Sequence, residues 1–121
     1  MTLTPLPAEI SRRTAAVCRV ADLVPERGVA ALVDGDQVAI FCVGAAAGLQ
    51  VFAIDHHDPF SGANVLARGI VGSVDDRWYV ASPVYKQRFD LETGRCLDDD
   101  RVAVGTWTVD LVGDEVHVHR R

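Results

Sequence analysis

The chain has 121 residues, of which 49% are hydrophobic and 24% charged, so it can form one compact globular domain and is too apolar to be disordered. Its formal net charge of −5 excludes the basic surface that nucleic acid or an anionic membrane would require. Three widely spaced cysteines, Cys18, Cys42 and Cys96, match neither a disulfide framework nor a paired-cysteine metal site, and they indicate a reducing, cytoplasmic setting.

Residues 1–13 contain two of the five prolines and no sustained hydrophobic periodicity, which predicts a flexible N-terminal lead-in. The pair Arg12 and Arg13 does not indicate a twin-arginine export signal, because Arg19 and Asp22 interrupt the apolar stretch that such a signal requires. The longest apolar run, residues 39–49, contains two glycines and is too short to span a membrane. We therefore expect a single domain over residues 14–121.

From residue 14 onward, short β-branched runs alternate with turn residues, a pattern typical of an all-β sandwich or barrel. No segment has convincing helical periodicity. Three hairpins are predicted: residues 29–33 with 37–43 across Asp34, Gly35 and Asp36; the run ending at Asp55 with its neighbour across residues 44–48; and residues 70–74 with 78–82 across Asp75 and Asp76.

The clearest alternation lies at the C-terminus and predicts a closing hairpin across Gly113 and Asp114. The side chains expected to face inward are Trp107, Val109, Leu111, Val116 and Val118, and those expected to face outward are Thr106, Thr108 and Asp110. His117 and His119 share the outward phase, and their spacing could place two imidazoles beside one metal. No third ligand is near them in sequence, so a solvent-exposed pair is the favoured interpretation.

Four polar residues in a row, Asp55, His56, His57 and Asp58, are the other candidate metal ligands. Adjacent side chains on an extended chain point in opposite directions, so a polar turn leading into Pro59 is favoured over a metal site. There is also no Ser-His-Asp order, no glycine-rich phosphate loop and no paired-cysteine motif. From the residues alone we therefore predict no catalytic, cofactor-binding or metal-binding residues.

Two segments, residues 51–66 and 80–97, resemble a Rieske domain. In such domains a strand ending in Ala-Ile-Asp leads into a Cys-Pro-His-x-Gly loop, and a Cys-Pro-x-His loop leads into Phe-Asp-Leu-x-Thr-Gly. The residues that match this frame are Ala53, Ile54, Asp55, Pro59, Gly62, Pro83, Phe89, Asp90, Leu91, Thr93 and Gly94. The resemblance implies an all-β, Rieske-like antiparallel sandwich or barrel of short strands with a cluster-binding-like subdomain.

The four ligand positions of the Rieske pattern are changed in this chain. Asp58 and Phe60 stand at the cysteine and histidine positions of the first loop, and Ser82 and Tyr85 stand at those of the second. A Rieske [2Fe-2S] cluster needs two thiolates on one iron and two imidazoles on the other, so we expect the subdomain to lack the cluster. Cys96 alone, beyond the second loop, cannot restore the ligand set.

Residues 58–66, 68–72 and 82–87 together resemble the small-subunit family of assimilatory NAD(P)H nitrite reductases, in which the ligand losses are part of the pattern. One departure is Val104-Gly105-Thr106-Trp107, where a Val-Pro-Val-Tyr-like strand is more typical. The resemblance implies a non-catalytic chain without cofactors. Its partner would be a large subunit that binds FAD, a [4Fe-4S] cluster and sirohaem and reduces nitrite to ammonium with NAD(P)H.

We hypothesise that Phe60 and Tyr85 fill the space of the lost cluster while Asp58 and Ser82 supply hydrogen bonds. Phe60, Tyr85, Lys86 and Arg88 are the predicted docking residues for the large subunit, because aromatic and arginine side chains are favoured interface anchors. Two alternatives stay open at this point: a free-standing protein-binding module on a Rieske scaffold, and a Rieske-type ferredoxin that carries electrons.

Overall fold

The computed structural model describes residues 15–44 and 48–121; the predicted lead-in, residues 1–13, lies outside the described residues. Nine strands account for most of the described secondary structure: β1 Ala15–Arg19, β2 Gly28–Val33, β3 Asp36–Val43, β4 Gln50–Asp55, β5 Ile70–Val74, β6 Arg77–Ala81, β7 Arg88–Asp90, β8 Thr106–Val112 and β9 Glu115–Arg120. Two short 3-10 helices are Val20–Asp22 and Leu66–Arg68. Neither could cross a membrane. The all-β prediction is confirmed.

Six strands form the larger sheet, in the order β1-β9-β8-β4-β3-β2, and every pairing in it is antiparallel. The outer strands β1 and β2 also approach each other, so the sheet curls towards a closed barrel. The first predicted hairpin is β2–β3, whose turn residues Asp34 and Gly35 both have positive φ. The second is β3–β4, although residues 45–47 of its connection lie outside the described chain.

The closing hairpin is β8–β9, in which Trp107, Val116 and Val118 are buried as expected. The prediction for Leu111 is wrong, because its side chain is 50% exposed. The cause is the short contact between β4 and β8, which pair only at Ala53 with Trp107 and at Ile54 with Thr106. The outer half of β8, which includes Leu111, therefore extends beyond β4 and pairs with β9.

The smaller sheet has the order β5-β6-β7 and carries the third predicted hairpin. Strands β5 and β6 pair from Ile70 with Ala81 to Val74 with Arg77. The turn residues Asp75 and Asp76 both adopt positive φ, which lets two residues reverse the chain. This sheet and the loops beside it form the subdomain that the sequence resemblance described as cluster-binding-like.

Strand β3 separates two hydrophobic cores, since all its residues from Val38 to Val43 are buried. Side chains alternate between the two faces of a strand, so each face of β3 serves a different core. Ala39, Phe41 and Val43 pack in the core beneath the smaller sheet. Val38, Ile40 and Cys42 pack in the core enclosed by the larger sheet. The two subdomains therefore share a fully buried wall.

The three cysteines are free thiols; Cys42 and Cys96 are buried and Cys18 is half-buried. Burial raises the pKa of the Cys42 thiol, and burial together with nearby Asp22 raises that of Cys18. Raised pKa values keep these thiols protonated, so they act as small apolar side chains rather than as nucleophiles.

Candidate functional site

Two loops at the end of the smaller subdomain form the tip, defined as residues 57–64 after β4 and residues 82–87 after β6. One hydrogen bond connects them: the Ser82 hydroxyl donates to Asp58 Oδ2 over 2.6 Å. Both residues are fully buried. Because 24 positions separate them in sequence, this contact fixes the first loop against the second.

Asp58 also organises its own loop. Its Oδ1 accepts from the Phe60 backbone N–H over 2.9 Å, and its Oδ2 accepts from the Ser61 hydroxyl over 2.9 Å. Backbone hydrogen bonds from Asp58 N–H to Ala63 and from Gly62 N–H to Asp58 close the turn. Burial by itself raises the pKa of Asp58, but the hydrogen bonds from Ser82, Phe60 and Ser61 outweigh it and lower the pKa. The buried group is therefore a carboxylate with several donors.

Ser82 has the corresponding role in the second loop. Its hydroxyl accepts from Val84 N–H over 3.2 Å, and its carbonyl accepts from Lys86 N–H over 3.1 Å. Ser82 N–H in turn donates to the Gln87 carbonyl, which closes the base of the turn. Lys86 has a φ of 69°, a left-handed conformation that is uncommon for a residue other than glycine. Val84, Tyr85 and Lys86 consequently stand exposed at the end of the loop.

Of the two aromatic side chains predicted to fill the space of the cluster, Phe60 packs against the core but Tyr85 does not. Phe60 packs against Phe89 with ring centroids 6.1 Å apart and planes tilted by 48°, while Tyr85 is 61% exposed and fills no internal space. The left-handed turn at Lys86 and the closed backbone of the second loop place Tyr85 outward. Phe89 was missed as the partner of Phe60, although its apolar side chain in the Phe-Asp-Leu motif was visible in the sequence.

The Phe89-Asp90-Leu91 motif begins a second turn, which is centred on the buried side chain of Asp90. Asp90 Oδ1 accepts from Glu92 N–H over 2.8 Å and from Thr93 N–H over 2.9 Å, and both Asp90 oxygens accept from the Arg77 guanidinium. Gly94 ends the turn with a φ of 77°, and a Cβ there would lie 2.1 Å from the Val104 carbonyl oxygen. Burial raises the pKa of Asp90, but Arg77 and the two amides lower it.

The four polar residues at positions 55–58 diverge, as the strand alternation predicted. His56 is buried and its Nδ1 accepts from Ala67 N–H over 3.1 Å, whereas His57 is exposed and its Nδ1 contacts Asn64 Oδ1. Burial, aided by the charge of Arg68, lowers the pKa of His56 and favours the neutral imidazole. Across residues 15–44 and 48–121, no three His, Cys, Asp or Glu side chains are grouped so that they could hold a metal ion.

Comparison with known proteins identifies this arrangement. The sequence profile of the Rieske-like [2Fe-2S] domain family matches residues 14–119. The nitrite reductase (NADH) small subunit of Salmonella typhimurium is 44% identical over 88 residues, which cover 73% of this chain and 80% of that protein. The chain belongs to the nitrite reductase small-subunit family of Rieske-like domains.

Two further relatives of the family extend the match. A Mycobacterium tuberculosis protein proposed to be an NADH-dependent nitrite reductase small subunit has a crystal structure with a TM-score of 0.83 and 42% identity, covering 89% of this chain and 95% of that chain. The nitrite reductase NAD(P)H large subunit of Klebsiella oxytoca is 38% identical over 112 residues, 93% of this chain. The matched segment is 11% of that large subunit, so a domain similar to this chain forms part of its polypeptide.

A Rieske-like family implies a [2Fe-2S] cluster, but the residues at the ligand positions of this chain do not fit one. Phe60 has no donor atom and packs on Phe89, while the Asp58 and Ser82 oxygens are hydrogen-bonded to each other. Carboxylate, hydroxyl and phenol oxygens are hard ligands, poorly suited to an iron–sulfide cluster. Cys96 is buried in the apolar core with Phe89 rather than placed in the tip. The four ligand positions, Asp58, Phe60, Ser82 and Tyr85, therefore offer neither the thiolates nor the imidazoles that the cluster needs.

The departure from the family pattern at Val104-Gly105-Thr106-Trp107 leaves the strand pairing intact, since Trp107 and Thr106 pair with β4. Asp55 Oδ2 accepts from Gly105 N–H over 3.0 Å and Oδ1 accepts from the Trp107 indole N–H over 2.9 Å. The retained Asp55 of the Rieske frame thus connects the end of β4 to the start of β8.

The four predicted docking residues have different environments. Phe60 is half-buried against Phe89. Arg88 is bound by Asp98, with Nη2 and Oδ1 2.8 Å apart, and its guanidinium lies 5.5 Å from the centroid of the Tyr79 ring. Tyr85 and Lys86 are exposed. Tyr85 and Lys86 are therefore exposed, whereas Phe60 and Arg88 contact other side chains of this chain.

The two C-terminal histidines are half-buried rather than solvent-exposed, which corrects the sequence-based expectation. His117 Nε2 lies 3.1 Å from Glu115 Oε1, and His119 Nε2 lies 3.0 Å from Asp110 Oδ2. One ring nitrogen of each histidine therefore contacts a carboxylate on the same hairpin.

Proposed function

We propose that this chain is the non-catalytic small subunit of a cytoplasmic NAD(P)H-dependent nitrite reductase, where it binds the large subunit and supports the reduction of nitrite to ammonium. The observation that carries the proposal is membership of the small-subunit family over nearly the whole domain. The three cysteines, all free thiols in the structure, support a reducing cytoplasm.

The Klebsiella oxytoca relative supports the choice of partner. In that protein a domain similar to this chain is covalently part of a large subunit, so the two units are held in one molecule. A separate chain must achieve the same proximity by binding. We therefore propose a stable complex between this chain and a large subunit of nitrite reductase.

We further propose that the chain carries no cofactor and that FAD, a [4Fe-4S] cluster and sirohaem reside in the large subunit. The support is chemical: the tip has phenyl, carboxylate, hydroxyl and phenol groups at the ligand positions, and two of these are joined by a buried hydrogen bond. The electron path from NAD(P)H to nitrite would then lie within the partner. This chain would act by binding, through a rigid surface that needs no metal.

Reconstitution tests the proposal. The purified large subunit is assayed for nitrite-dependent NADH or NADPH oxidation and ammonium formation, with and without this chain, and the mixture is examined by size-exclusion chromatography. We expect co-elution, a rise in activity that saturates at equimolar small subunit, and no activity from this chain alone. Separate elution together with unchanged activity would refute the proposal.

A further inference from the structure

We infer that the large subunit is contacted through the exposed end of the second tip loop, with Tyr85 as the anchor, and that the receiving pocket is apolar with an acidic rim. This inference rests on the proposed function, and it names the surface that the proposal leaves open. We call Val84, Tyr85 and Lys86 the apex. It differs from the docking set expected from the sequence, because Phe60 and Arg88 are engaged within this chain.

The exposure of the apex supports a docking role. Val84 is 43% exposed and Tyr85 is 61% exposed, although the same tip buries Asp58 and Ser82 completely. Tyrosine is enriched among residues that dominate binding energy, because it combines a large apolar ring with a hydroxyl that remains satisfied at a wet rim. Two adjacent exposed apolar side chains on one loop can enter a pocket with little displacement of the backbone.

The apex is also held in one conformation before any partner binds. Val84 N–H donates to the Ser82 hydroxyl, and Lys86 N–H donates to the Ser82 carbonyl. The Lys86 ammonium donates to the Pro83 carbonyl oxygen over 3.1 Å. Ser82 itself is fixed to Asp58 of the other loop. A surface that is already ordered loses less conformational entropy on association, so more of its contact energy appears as affinity.

The charge of the tip gives the chemistry of the partner. Residues 57–64 and 82–87 contain one acidic residue, Asp58, which is fully buried, and one basic residue, Lys86, which is exposed. The chain as a whole has a net charge of −5. The two formal charges of the tip cancel, but the exposed one is the positive charge of Lys86, and acidic groups around the receiving pocket would attract it.

Other exposed apolar side chains of the described residues lack this combination. Leu32 and Ile70 lie on β2 and β5, and Leu111 and Val112 lie at the β8–β9 hairpin end. In the apex, an exposed aromatic ring lies directly beside an exposed lysine in sequence. None of these four side chains has such a pair next to it. They provide matched controls instead.

The test measures the affinity of the large subunit for the wild-type small subunit and for four variants. Tyr85→Ala should raise Kd by about tenfold or more, as expected for an anchor residue. Lys86→Glu should raise Kd by about threefold to tenfold, mainly through slower association, with a larger effect at low salt. The controls Leu111→Ala, an exposed apolar truncation, and Arg121→Glu, an equal change of net charge, should stay within about twofold of wild type.

The outcomes separate the inference from the proposed function. If the wild-type chain does not bind the large subunit, the proposed function fails. If it binds and the apex variants bind as well as the controls, the proposed function stands and the apex is not the docking surface. Hydrogen exchange of the wild-type complex gives a second readout that needs no variant: the backbone amides of residues 84–87 should exchange more slowly in the complex, and unchanged exchange there would overturn the inference.

Discussion

Two buried aspartates close two neighbouring turns of the same subdomain, and they do so with different partners. Asp58 in the tip is held by the hydroxyls of Ser61 and Ser82 and by one backbone amide. Asp90, at the end of β7, is held by two backbone amides and by the guanidinium of Arg77. Asp58 stands at the position of a cysteine ligand in the Rieske pattern, whereas Asp90 is one of the residues that match that pattern.

These two turns show how a pair of loops can be held in order by hydrogen bonds to a buried carboxylate. A carboxylate that accepts several hydrogen bonds can organise a turn without any metal, as Asp90 already does in the frame. Asp58 uses the same principle with neutral donors, and one of these, Ser82, comes from the opposite loop. The tip is thus closed by a polar contact across the two loops, and Phe60 packing on Phe89 covers the core beneath it.

The largest expected effect is that of Asp90→Ala. The substitution removes a charge-assisted pair and two amide hydrogen bonds from a residue that is 3% exposed, so we expect a loss of about 3 kcal/mol in the free energy of unfolding. Urea denaturation measures it. A loss smaller than that of Asp58→Ala would reverse the ranking of the two turns.

Asp58→Ala should cost about 2 kcal/mol, because it leaves the Ser82 hydroxyl and the Phe60 N–H without their acceptor in a buried site. The effect should be local: hydrogen exchange should accelerate in residues 57–64 and 82–87 while the strands of the larger sheet stay protected. Asp58→Asn keeps an acceptor oxygen and is the milder control. Uniform acceleration throughout the domain would show that Asp58 does more than connect the loops.

Ser82→Ala should cost about 1 kcal/mol, since Asp58 keeps its bonds from Ser61 and the Phe60 amide. Ser61→Ala is the matched control. It removes a hydroxyl that donates to the same Asp58 carboxylate, but it leaves the hydrogen bond between the two loops in place. Both substitutions can cost similar free energy. Only Ser82→Ala should speed hydrogen exchange in both loops, and equal local effects from the two would argue against a role for Ser82 in joining them.

Acid should weaken the domain in two ranges of pH. The pKa of His56 is lowered from its ordinary value of 6.5, so the folded state binds protons less readily than the unfolded chain and stability falls as the pH drops below that value. The pKa values of Asp58 and Asp90 are lowered from 3.8, so a further loss follows as the pH falls below 3.8. Urea midpoints measured across this range should show both losses, and His56→Gln should remove the first. Stability that increases on mild acidification would contradict the assignment for His56.

The sequence was sufficient wherever the deciding interactions are local. Turn residues such as Asp34 and Gly35 predicted the hairpins, and the alternation around Val116 and Val118 predicted the inward face of β9. The alignment of the two loops also predicted that Asp58 and Ser82 supply hydrogen bonds, although it did not predict that they bond to each other. Each of these predictions depends on neighbouring residues or on the resemblance to a known frame.

The predictions that failed depend on distant geometry. Whether Leu111 is covered depends on how far β4 extends along β8, which alternation within one strand does not reveal. Whether Tyr85 points inward depends on the left-handed turn at Lys86, a conformation that a lysine gives no reason to expect. The pairing of Phe60 with Phe89 likewise follows from the position of β7 in the smaller sheet.

We propose that the tip is closed by side chains and binds no iron–sulfur cluster. The direct test is to produce the chain in iron-replete cells, attempt reconstitution with iron and sulfide, and measure protein-bound iron, acid-labile sulfide and visible absorbance. We expect neither element in stoichiometric amount and no absorbance typical of a cluster. Stoichiometric iron and sulfide that persist through purification would contradict the claim.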